Sequence, residues 1–173
     1  MMSADAVPNE LQLTRTRGDR RLYALQGVGT LRLTGWSSRG AIAQAGALSW
    51  QIKRRGFSQR VIQAADASGV VVGEYEPRTL RRGGALRWSD RELALRPDSA
   101  WRQRYALTEG DHQLATIEGK SWGKRPVNIA VHGDASAIDP GLLLFAAFVV
   151  RTLAHDAAAA SSAAGSTVIV SGG

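Results

Sequence analysis

Three short basic runs stand out among the residues able to do chemistry: Lys53-Arg54-Arg55, Arg81-Arg82 and Lys124-Arg125, with Lys120 close to the last. Each falls in an expected turn. Guanidinium groups grip oxyanions through paired hydrogen bonds, and ammonium groups attract them as point charges. Trp122 lies between Lys120 and Lys124 in "KSWGKR". An indole there suits a membrane interface or a stacked base. Turns gathered at one end of a sheet would make a positive rim, able to hold phosphates of a lipid headgroup or of nucleic acid. The plainer account is solvated turns with Trp122 in the core.

Other chemistry is weaker. The histidines are His112, His132 and His155, with no pair at i, i+4 for a metal. Nucleophilic catalysis is equally weak, because Ser, His and Asp are too common to count by themselves. "GVGT" at 27–30 and "RRGG" at 81–84 lack the Lys-Ser/Thr of a phosphate loop, and read as turns or bulges. Glu74 and Glu76 share one face of a strand and read as solvated carboxylates. With no acid, base, nucleophile or metal set in view, the expectation is a protein that is not an enzyme and takes no cofactor.

Composition sets the frame. The chain has 173 residues, net charge +7 and no cysteine, so disulfide and thiolate chemistry are excluded. Excess positive charge favours anionic partners, although an Arg-, Ala- and Gly-rich composition could produce it alone. "MMSADAVPNELQL" lacks the basic start and apolar run of a secretory signal. The expected location is the cytoplasm, with peripheral contact to a membrane.

The elements that must position these residues are strands. Val127, Ile129 and Val131 alternate in "VNIAV", as do Leu48, Trp50 and Ile52, and Leu93 and Leu95. Turn signals such as "DASG", "WSDR" and "TEGD" separate such runs. Gly-Ala-Leu-x-Trp occurs twice, at 46–50 and 84–88, and two longer stretches starting at Phe57 and Trp101 each read as strand, turn, strand. Recurrent hairpins of a meander explain both echoes, with Trp50 and Trp88 as core residues. Residues 1–20 read as an N-terminal arm, 21–156 as one domain and 157–173 as a disordered Ala/Ser/Gly tail.

"DPGLLLFAAFVVRTLAHD" at 139–156 predicts a helix over about 140–155, capped by Asp139 and opened by Pro140. Leu142, Leu143, Leu144, Phe145, Phe148 and Val149 belong to an unbroken apolar run. A helix apolar on all sides is buried on all sides. The run makes about 15 Å of helix against a hydrocarbon core of about 30 Å, too short to span. The economical arrangement is a closed antiparallel β-barrel of about twelve strands around that helix, without open sheet edges.

The strand meander, the texture of Trp50, Gly56, Phe57, Asp66 and Gly69, and the closing "DPGLLLFAAFVV" resemble the tubby-like C-terminal domain superfamily. That superfamily includes the LURP-one-related proteins and phospholipid scramblases, and the resemblance over about 20–155 is closest to its small bacterial members. It implies an antiparallel barrel around a central hydrophobic helix, and binding of anionic headgroups by basic residues. Scramblase activity is not implied, because the cysteines for a lipid anchor and a calcium-type acidic segment are both missing. The first expectation is therefore a non-enzymatic domain that binds anionic lipid or a membrane surface through Lys53, Arg54, Arg55, Arg81, Arg82, Lys120, Trp122, Lys124 and Arg125. The alternative is a protein-interaction module whose tail, with "TVIV" at 167–170, engages a partner. Non-specific nucleic-acid binding comes third.

Overall fold

Alternation of inward and outward residues builds the molecule. The computed structural model describes residues 10–35, 39–58, 60–78, 83–99, 103–119, 122 and 125–164. Twelve strands follow in chain order: β1 (Glu10–Arg15), β2 (Leu22–Leu25), β3 (Gly29–Thr34), β4 (Gly40–Ala45), β5 (Leu48–Arg55), β6 (Val61–Asp66), β7 (Val71–Pro77), β8 (Gly84–Trp88), β9 (Arg91–Ser99), β10 (Arg104–Glu109), β11 (His112–Glu118) and β12 (Val127–Val131). Each pairs antiparallel with its chain neighbours, and β12 pairs with β1, so the sheet closes into a barrel. The expected strand number and closure are what the chain forms. Inward positions recur at every second residue, from Leu11 and Leu13 on β1 to Val127, Ile129 and Val131 on β12.

The N-terminal segment departs from expectation. Residues 10–15 are not an arm but β1, and Leu11 pairs with Ile129 while Leu13 faces Leu25. The reason is local: "ELQL" carries the period-2 pattern that puts two leucines inside. Without β1, β2 and β12 would each present an open edge.

The barrel is filled by α1 (Pro140–Ala164). Gly141–Val150 is buried without a break, including Leu142, Leu143, Leu144, Phe145, Phe148 and Val149. Asp139 Oδ1 accepts hydrogen bonds from the Gly141 N–H at 2.7 Å and the Leu142 N–H at 3.4 Å, as an N-cap should. Over Pro140–Ser162 the helix is long and apolar enough to cross a bilayer. Its apolar part, however, is walled by strands, as in the core of a barrel. The helix approaches β3 and β4 most closely, where Ala41 and Ala43 leave room and a Cβ at Gly29 would lie 3.1 Å from Leu144.

The helix does not stop near residue 155. It continues to Ala164, so the first part of the expected disordered tail is helical. Alanine is the strongest helix former, and an Ala-rich extension of an anchored helix needs no new nucleus. The helix is about 37 Å long and outruns strands of six or so residues, so its last turns leave the barrel. Residues 165–173, with "TVIV", lie outside the described residues.

The repeated Gly-Ala-Leu-x-Trp has one purpose and two settings. Gly46 opens β5 from a turn with φ 58°, whereas Gly84 is already inside β8. Both tryptophans point inward. Their ring centroids lie 5.8 Å apart, and Trp88 lies 5.6 Å from Phe145. A Cβ at Gly141 would stand 2.6 Å from Trp88 and 2.7 Å from Trp50. The two indoles thus floor the barrel where α1 enters it, with Gly141 fitted between them.

A candidate anion-binding rim

In a closed antiparallel meander, successive connections alternate between the two ends. The connections after β1, β3, β5, β7, β9 and β11 share one end with the exit of α1. Those after β2, β4, β6, β8 and β10 share the other, where α1 enters. Charge follows the same division. The entry-end connections carry Asp90, Asp111, Asp134 and Asp139 and neither Lys nor Arg. The described residues of the exit-end connections carry seven arginines, against the single acid Asp19.

Among the described residues of the exit rim, Arg17, Arg20, Arg21, Arg39, Arg60, Arg78 and Arg125 are exposed. Arg81, Arg82, Lys120 and Lys124 lie outside the described residues; they belong by chain order to the connections from β7 to β8 and from β11 to β12. Lys53, Arg54 and Arg55 are not in a turn. They are the last residues of β5, because the alternation from Trp50 and Ile52 runs on to the strand end. Lys53 and Arg55 face outward, while Arg54 turns inward to the mouth. There its Nη2 donates to both carboxylate oxygens of Asp156 on α1, at 3.1 and 3.3 Å. The expected trio is therefore two surface cations and one that clasps the emerging helix.

Trp122 is half-buried at the same mouth. Its ring lies 5.0 Å from that of Tyr23, and the Arg151 guanidinium sits 5.7 Å above it. Burial pulls Arg151 below its ordinary pKa, yet a guanidinium starts so high that it remains charged. Trp122 thus packs on the core and supports a cation, rather than standing out as a bare interfacial indole. Among the described residues the exposed aromatic is Phe57, in the connection after β5, between Arg55 and Arg60. In the sequence, the signal for it is the Gly-Phe pair straight after "KRR".

Glu74 and Glu76 do share the outer face of β7. Glu74 accepts from Gln63 Nε2 at 2.6 Å and stands 3.7 Å from Arg87, so it is engaged in the wall. His132 bonds Gln113 and Thr116 on the outer surface. Among the described residues no three His, Asp or Glu side chains group as metal ligands would.

Fold and rim together define a class: a closed twelve-stranded barrel with an axial helix and charge separated between its two ends. No family model matches the chain, and neither a curated protein nor a solved structure matches it.

Proposed function

We propose that this protein is a non-enzymatic binding domain that docks its exit rim on an anionic phospholipid surface. One observation carries the reading: the basic connections open on one end and the acidic ones on the other. A barrel so polarised meets a negative surface with one end only, and each basic residue near the surface contributes about 1 kcal/mol. Phe57 favours lipid over nucleic acid, because a fully exposed aromatic between Arg55 and Arg60 in the chain suits the headgroup boundary. The tubby-like resemblance belongs to the same reading; its support is the closed barrel around an axial helix and the basic rim.

Charge reversal tests it. Arg20→Glu, Arg21→Glu and Arg60→Glu together should abolish sedimentation with anionic vesicles, without lowering the melting temperature by more than a few degrees. Phe57→Ala should weaken it by about fivefold, a fraction of the transfer energy of a buried phenyl ring. Undiminished vesicle binding by the triple variant would sink the proposal. Vesicle binding displaced by duplex DNA would move the rim to the nucleic-acid reading instead.

A further inference from the structure

A cleft opens at the exit rim between α1 and the adjoining ends of β5, β6 and β7. Its volume is about 290 Å³, and Arg54, Arg60, Arg78, Tyr75, Leu153 and Asp156 are among its lining residues. Tyr75 is only 1% exposed, and its hydroxyl has no hydrogen-bond partner among the described residues. Nor has the buried Nε of Arg54. Buried polar groups are nearly always partnered. The Arg54 Nε–H can only donate, and the Tyr75 hydroxyl can donate as well as accept, so one acceptor would serve both.

Charge narrows the class of acceptor. Among the described lining residues, three arginines and one carboxylate leave a surplus of two positive charges. A phosphate monoester carries about −1.5 to −2 near neutral pH and offers several acceptor oxygens. The Asp156 carboxylate holds Nη2 of Arg54 through both of its oxygens. It sits on an exposed turn of α1 that is free of the barrel wall on its outer side.

We propose that this cleft is a binding site for one phosphate monoester group, and that Asp156 is an internal carboxylate which competes with it for Arg54. Tyr75 donates from the floor, Arg54 from the side, and Arg60 and Arg78 close over the anion from the surface. The surface-docking reading matters here only for the source of the phosphate. A free ester in solution and a monoester lipid headgroup present the same group.

Calorimetric titration of the full chain with inorganic phosphate, against chloride at equal ionic strength, tests the site. Saturable binding is expected. Tyr75→Phe leaves net charge unchanged and should weaken binding about tenfold. Asp156→Asn should tighten it several-fold. Asp19→Asn adds the same charge at the same rim, away from the cleft, and should leave it unchanged. Absence of saturable binding, equal tightening by Asp19→Asn and Asp156→Asn, or full affinity in Tyr75→Phe would each overturn the proposal. Vesicles separate the sources. A preference for phosphatidic acid over phosphatidylglycerol that Tyr75→Phe abolishes assigns the site to a headgroup. Phosphate binding without such a preference assigns it to a soluble ester, and phosphate binding without any vesicle docking would remove the surface reading while leaving this site standing.

Discussion

Arg91 and Glu109 show how single residues brace the entry end. Arg91 Nε and Nη2 donate to the two oxygens of Glu109, each at 2.9 Å, tying β9 to β10. That hydrogen bonding holds the Glu109 carboxyl below its ordinary range. Asp66 and Asp134 are lowered in the same direction by bonds from Ser68 and Ser136 in their turns. A depressed folded pKa contributes stability above the unfolded value of about 4.3 and loses it as pH falls through the folded one. The melting temperature should therefore drop as pH falls from about 4.5 to 3. Glu109→Gln should flatten that slope, while costing no more than about 1 kcal/mol at pH 7, since both partners are partly exposed. An unchanged slope in the variant would contradict the assignment. Residue roles were legible where pattern sets them. Asp139 as a cap, and Trp50 and Trp88 as core, follow from their neighbours in sequence. Arg54 was not, because its partner Asp156 lies 102 positions away, and only barrel closure brings them together. Tyr75 was missed for the same reason.

At the scale of elements, α1 explains the sheet and the sheet explains α1. A helix buried on every face needs a wall of small and large residues matched to it. Gly141 is the tightest point of that match. Gly141→Ala should push a methyl into both indoles and cost about 1–3 kcal/mol, the range for overpacking a core. Chemical denaturation measures it, and a neutral result would mean that the two tryptophans have room to part. The run from Leu142 to Val150 was enough to place this helix inside a barrel. Its end was not legible, since the Ala/Ser composition that suggests disorder in a free chain extends a helix already anchored. β1 was hidden by the polar residues around it, with only two leucines to mark its face.

At the scale of the molecule, the two ends differ in kind. Each basic run was visible in sequence. Which connections share an end was not, because that depends on the number and order of strands between them. Once twelve strands close in sequence order, every second connection falls on the exit rim, and the arginines gather without any long-range signal. The central claim is that this rim is built for an anionic membrane. The most direct measurement is co-sedimentation of the full chain with neutral vesicles and with vesicles carrying phosphatidylglycerol, at about 150 mM salt, where exposed charges beyond about 8 Å are already screened. The account predicts pelleting with the anionic vesicles alone, undiminished by excess duplex DNA. Equal recovery in the supernatant from both vesicle types would contradict it.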